Sequence, residues 1–106
     1  MGNRVRIHVA QDKIADFCRR HRIRELAFFG SVLREDFRPD SDVDVLVEFE
    51  PETHYGLFAL SRLESELGEI LGHEVDLVER WAIENSRNYI RRRAILSSAE
   101  TVYASR

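Results

Sequence analysis

Apolar and polar residues recur along the chain with two different periods, and these periods predict helices and strands. In residues 11–21 the apolar positions are three or four apart, which is typical of an amphipathic helix. Two apolar runs follow, at residues 23–29 and 42–49, with the length and composition of buried strands. The link between them, residues 31–41, is polar and contains Pro39. It therefore predicts at most a helical turn at its start and a loop thereafter.

The second half of the chain contains the clearest helical pattern. Residues 57–71 place leucines on one stripe, and Gly72 follows as a residue suited to ending a helix. A short run at residues 74–79 alternates in polarity and predicts a third strand. A strand, a crossover helix and a strand normally form a right-handed parallel unit. We therefore expect the second and third strands to be parallel.

The C-terminal segment predicts one more helix. Its pattern begins at Ala82 or Asn88 and continues to Tyr103, with Asn85 or Ser86 as a possible cap. The whole order predicts an α/β (α+β) fold, a small mixed sheet of three or four strands with helices packed on it. With 106 residues, the chain is expected to form a single domain spanning residues 1–106.

The composition is that of a soluble globular protein, with 43% hydrophobic and 33% charged residues. No run approaches the ~20 apolar residues needed to cross a membrane, and the first residues resemble no signal segment. Cys18 is the only cysteine, so no internal disulfide can form. We expect a cytoplasmic protein with a buried thiol.

The net charge of −3 argues against nucleic acid as a direct substrate, because phosphate backbones are held mainly by Lys and Arg. Basic residues nevertheless cluster at 19–22 and 91–93. Two interpretations remain open for these clusters. They are either solvated helix faces or an electrostatic rim around a triphosphate or an acidic partner.

The candidate chemistry lies where the first two predicted strands meet. Asp42 and Asp44 flank Val43 at the beginning of the second strand, and alternate side chains of a strand share a face. Their Cα atoms should be about 6.6 Å apart, close enough for both carboxylates to share one metal ion or bracket two. Gly30 and Ser31 close the preceding strand, where backbone N–H groups can hold phosphate. If both motifs line one site, the two strands are antiparallel.

The spacing of these residues also resembles the motif of a known protein family. The Gly30-Ser31 pair, the segment 32–41, and then Asp42 and Asp44 resemble the signature of the DNA polymerase beta-like nucleotidyltransferase superfamily. Within it, the short chain is most similar to the minimal nucleotidyltransferases, the MNT antitoxins that are paired with HEPN-domain toxins. The resemblance implies a nucleotidyltransferase palm-like core.

The resemblance also implies roles for individual residues. Asp76 matches the third aspartate of the family, and Arg34 matches the arginine after the Gly-Ser pair. Many relatives have a glycine after that arginine, whereas this chain has Glu35. The implied catalytic and metal-binding residues, for two Mg²⁺ ions, are Asp42, Asp44 and Asp76. The expected nucleotide-binding residues are Gly30, Ser31, Arg34 and Ser41, and Ser41 and Arg38 can alternatively order the loop.

The implied activity is transfer of AMP from ATP to a hydroxyl, a tyrosine of a cognate HEPN ribonuclease toxin, which the modification inactivates. A chain of this length is expected to take its acceptor from a docked partner. Two alternatives stay open. The chain could neutralise the toxin by binding alone, or it could transfer a nucleotide to a small molecule.

Overall fold

The computed structural model describes residues 7–105. Within that range the chain forms four α-helices, one short 3-10 helix and four strands. In chain order these are α1 (Gln11–Arg20), β1 (Ile23–Phe29), the 3-10 helix (Gly30–Leu33), β2 (Val43–Phe49), α2 (Leu57–Leu71), β3 (Val75–Glu79), α3 (Arg80–Glu84), α4 (Tyr89–Ser98) and β4 (Glu100–Ala104).

The four strands form one mixed sheet in the order β3-β2-β1-β4. β1 is antiparallel to both of its neighbours, β2 and β4, whereas β2 and β3 are parallel. This arrangement confirms the predicted mixed sheet, the antiparallel first pair and the parallel unit around α2. The bounds of β1 and α2 agree with the sequence patterns.

One face of the sheet packs against α1 and α2. Val43, Val45 and Val47 of β2 all point to this face and are completely buried. Their burial leaves the alternate positions of β2 on the opposite face. The remaining buried members of this cluster are Ile14, Phe17, Cys18, Ile23, Leu26, Phe28, Val32, Leu33, Leu63, Leu67 and Leu71.

The other face of the sheet carries a smaller cluster. Ala27, Phe29 and Leu46 of the central strands are buried there against Ile83 of α3 and Ile95 of α4. The two short C-terminal helices therefore cover this face only in part. The uncovered end of the same face is where the candidate site lies.

The prediction of one helix reaching Tyr103 is wrong. α4 ends at Ser98, Ala99 is extended (φ −60°, ψ 138°), and residues 100–104 form β4 against β1. Residues 101–103 are β-branched or aromatic and suit a strand. Pairing also satisfies the backbone groups along the edge of β1, which a helix would leave unpaired.

The beginning of this segment differs as well. The chain first forms the short helix α3, and α4 begins only at Tyr89. The side chain of Asn88 caps α4, because its Oδ1 accepts a hydrogen bond of 3.1 Å from the Arg91 N–H. The predicted caps, Asn85 and Ser86, lie between the two helices instead.

Cys18 is buried in the larger cluster, as predicted. Burial raises the pKa of its thiol to about 12, and the charge of Arg19 only partly offsets this. Among the described residues, no helix combines the length and the apolar character that crossing a membrane requires.

Candidate active site

A tight turn at Gly30 places the end of β1 directly against Asp44. Gly30 has a φ of 76°, a left-handed conformation that side chains disfavour. A Cβ atom added to Gly30 would overlap the Oδ2 atom of Asp44. Ser31, the next residue, donates its hydroxyl to the main-chain oxygen of Asp42 at 3.4 Å. The Gly-Ser pair therefore contacts both aspartates of the motif.

The register of the sheet brings two of the three predicted carboxylates together. Asp44 on β2 pairs with Phe29 of β1 on one side and with Asp76 of β3 on the other. Residues paired directly on neighbouring strands share a face and have Cα atoms about 4.8 Å apart. The structure thus places Asp44 and Asp76 side by side, on the face covered by α3 and α4.

Asp42, the predicted start of the strand, lies just before β2, which begins one position later. The strand begins at Val43, whose N–H donates to the carbonyl oxygen of Glu74 at 2.8 Å. Asp42 is exposed, Asp44 is half-buried and Asp76 is exposed. Asp44 is thus the least exposed of the three carboxylates.

The electrostatics of Asp44 reflect this crowding. Burial raises the pKa of the Asp44 carboxyl, and the negative charges of Asp76 and Asp42 raise it further. The positive charges of Arg34 and Arg91 act in the opposite direction, but they do not reverse the shift. Because the three carboxylates repel one another, a cation bound between them would be stabilised by their negative charge.

The donor set suits magnesium. All three side chains offer carboxylate oxygens, which hard divalent cations prefer. Within residues 7–105, however, no three His, Cys, Asp or Glu side chains form a ready-made metal cage. Mg²⁺ does not require one, because it keeps several waters and is typically held by one or two carboxylates together with substrate phosphates. The residues therefore fit an open site of the kind that a nucleotide's phosphates would complete.

The other predicted nucleotide-binding residues lie in the loop between the motifs. Arg34 is exposed and donates from Nε to Asp36 at 3.3 Å, and its charge also reaches Asp44. Ser41 accepts a hydrogen bond of 3.2 Å from the Arg38 N–H. In this structure Ser41 therefore orders the loop, the alternative role that the sequence left open.

The charge of Arg91 also acts on Asp44, and the sequence did not single this residue out. It belongs to the basic cluster at 91–93, for which the sequence left two interpretations open. Arg92, its neighbour, donates from Nη1 to the carbonyl oxygen of Ser86 at 2.8 Å and is held in place by that bond. Of the three arginines in this cluster, Arg91 is the one whose charge is among those that lower the pKa of Asp44.

Comparison with known proteins identifies the family. The family model described as a nucleotidyltransferase domain matches residues 12–99 of the chain. The chain belongs to the nucleotidyltransferase domain family. Among curated relatives, it is similar to the protein adenylyltransferase MntA of Thermococcus cleftensis, with 40% identity over 63 residues. That alignment covers 59% of this chain and 62% of the relative, so the chain spans less than two thirds of that protein.

Two solved structures share the fold. A chain of a toxin-antitoxin complex crystallised with AMP-PNP has a TM-score of 0.67 at 19% identity, over 92% of this chain and 76% of that one. The second structure is a complex of a tri-AMPylated Shewanella oneidensis HEPN toxin with an MNT antitoxin. One chain of that complex has a TM-score of 0.60 at 18% identity. The latter match covers 90% of this chain and 70% of that one. The predicted nucleotidyltransferase core is thus confirmed.

Proposed function

We propose that this nucleotidyltransferase transfers AMP from ATP to a tyrosine hydroxyl of a HEPN-domain toxin, for which it serves as the antitoxin. The observation that carries the proposal is the pairing of Asp44 with Asp76 in register, with Gly30 packed against Asp44. A close backbone turn beside paired carboxylates suits a nucleotide whose phosphates enter together with a cation.

The transfer requires the acceptor hydroxyl, the α-phosphate of ATP and a carboxylate to be brought together. The acceptor oxygen attacks the α-phosphorus of ATP, the bond from that phosphorus to the oxygen bridging to the β-phosphate breaks, and pyrophosphate leaves. The proton of the hydroxyl passes to a carboxylate, and exposed Asp76 is suited to accept it. Two Mg²⁺ ions held by Asp42, Asp44 and Asp76 would supply the charge that stabilises the phosphates.

The toxin as acceptor is supported by the proteins to which the chain is similar. One of them is named a protein adenylyltransferase, and another is solved in a complex that contains an AMPylated HEPN toxin. The surface offers places for a partner to dock, since several large apolar side chains are more than half exposed. These are Leu57, Phe58, Trp81, Tyr89 and Ile90.

The same exposed side chains also favour a second candidate, neutralisation of the toxin by binding alone. In that case the partner would be inhibited by occlusion, and the carboxylates would be dispensable. The two candidates differ in one measurable way. Loss of Asp44 would abolish protection by transfer, but it would leave protection by occlusion unchanged.

Intact mass spectrometry of the partner tests the proposal. A candidate HEPN toxin, sought among the genes next to the one for this chain, is incubated with the chain, ATP and Mg²⁺, and tandem mass spectrometry then locates any modified residue. We expect adenylate-sized increments on a tyrosine, lost in the Asp42→Asn/Asp44→Asn variant and retained in Asp40→Asn, a change of an exposed aspartate in the same loop. An unmodified toxin that still co-elutes with the chain would favour occlusion.

A further inference from the structure

The arginines of α4 have different environments. Arg92 is fixed by its bond to the carbonyl oxygen of Ser86. The guanidinium of Arg91 is exposed, and within residues 7–105 it donates no hydrogen bond. An arginine that is fully charged and makes no hydrogen bond is available to a ligand.

The length of α4 is sufficient for its first turn to reach the end of the sheet that carries the aspartates. The helix ends at Ser98, and the first residue of β4, Glu100, pairs with Phe28 at the end of the sheet where the site lies. From Ser98 back to Arg91 the helix rises about 10 Å, at roughly 1.5 Å per residue. The distance from β4 across β1 to β2 is also about 10 Å, because it comprises two strand spacings of about 4.8 Å.

The side of α4 that faces the sheet is fixed by Ile95. This residue is buried in one cluster with Phe29 of β1 and Leu46 of β2, so the helix packs on this face of the sheet. Arg91 precedes Ile95 by four residues and lies on the same stripe of the helix. Arg93 precedes it by two residues and lies on the opposite side.

The electrostatics agree with this placement. The positive charge of Arg91 is among those that lower the pKa of the Asp44 carboxyl. Arg34 has the same effect from the loop between the motifs. Positive charge therefore reaches the carboxylates from two elements, the loop and α4.

We propose that Arg91 contacts a phosphate of the bound nucleotide, and this inference rests on the proposed function. The side chain of Arg91 projects from the stripe of α4 that also carries the buried Ile95. A guanidinium offers paired N–H donors that match phosphate oxygens. Its charge would offset the repulsion between three carboxylates and a triphosphate, while the turn at Gly30 holds the nucleotide from the other side.

The test measures nucleotide binding rather than transfer. The dissociation constant for ATP, in the presence of Mg²⁺, is determined by calorimetry for the wild type and for Arg91→Ala, Arg91→Lys and Arg93→Ala. We expect Arg91→Ala to weaken binding about tenfold to a hundredfold, the usual effect of losing a hydrogen bond to a charged group. Arg91→Lys should be intermediate, because it keeps the charge and loses the paired donors. Arg93→Ala should stay within about twofold of the wild type.

The outcomes separate this inference from the proposed function. Equal binding by Arg91→Ala and Arg93→Ala would overturn the role of Arg91, whatever the transfer assay shows. A wild-type chain that binds ATP but modifies no partner would refute the proposed function and leave the Arg91 comparison valid. A wild-type chain that binds no ATP would refute both. Thermal unfolding without nucleotide should show similar midpoints for all four proteins, which excludes a purely structural effect.

Discussion

Substitution of Gly30 by alanine is expected to affect AMP transfer more strongly than it affects the stability of the fold. Gly30 is left-handed (φ 76°), and a Cβ there would overlap Oδ2 of Asp44. Holding a non-glycine residue in this conformation costs on the order of 1–3 kcal/mol. For a domain of this size, that cost lowers the unfolding midpoint by about 4–20 °C. The Asp44 carboxylate must also move aside, and a displacement of about 1 Å can reduce a rate about a hundredfold.

Gly72 provides the matched control. It ends α2 with nearly the same backbone conformation (φ 72°), but a Cβ there would meet no atom within 4 Å. Gly72→Ala therefore tests the backbone strain alone. We expect the two alanine variants to lose similar stability in thermal unfolding, and only Gly30→Ala to lose AMP transfer when both are assayed well below their midpoints. Equal transfer rates for the two variants would refute the idea that Gly30 positions Asp44.

Two further predictions concern the half-buried Asp44 and the buried Cys18. Because the pKa of Asp44 is raised in the folded protein, protonated Asp44 contributes stability that is complete below its unfolded value of about 3.9 and is lost as the pH rises through the folded value. Asp44→Asn should therefore raise the unfolding midpoint of the metal-free protein at pH 7, by about 4–8 °C for each kcal/mol of repulsion removed, and have little effect near pH 3. A variant less stable than the wild type at pH 7 would contradict this account. Cys18, completely buried with a thiol pKa of about 12, should react with a thiol reagent only after unfolding, and a fast reaction of the native protein at pH 8 would show that the helix α1 opens.

The parts of the fold that follow local rules could be predicted from the sequence. β1 and α2 have strong periodic patterns, and Gly72 marks the end of α2 as expected. The pairing of Asp44 with Asp76 follows from the parallel unit around α2, although these residues are far apart in the chain. The family resemblance supplied the expected roles of these aspartates, which periodicity alone does not reveal.

Features that depend on distant contacts could not be predicted in this way. β4 exists because β1 offers an unpaired edge, and that edge is formed by residues far earlier in the chain. The helical pattern of residues 89–98 gives no signal that it stops at Ser98. Arg91 was one of three adjacent arginines in the sequence. Only the burial of Ile95 on the sheet shows which of them shares the sheet-facing stripe of α4.

The rate of AMP transfer by Asp44→Asn, compared with Asp40→Asn, tests the central claim most directly. Both changes remove one negative charge and keep the shape of the side chain, but Asp44 lies beside Gly30 and Asp76, whereas Asp40 is exposed in the loop. The rates are measured with the HEPN partner, ATP and Mg²⁺, at a temperature where both variants are folded. We expect Asp40→Asn to transfer AMP at nearly the wild-type rate and Asp44→Asn to lose at least about a hundredfold. Wild-type transfer by Asp44→Asn would contradict the assignment of this site.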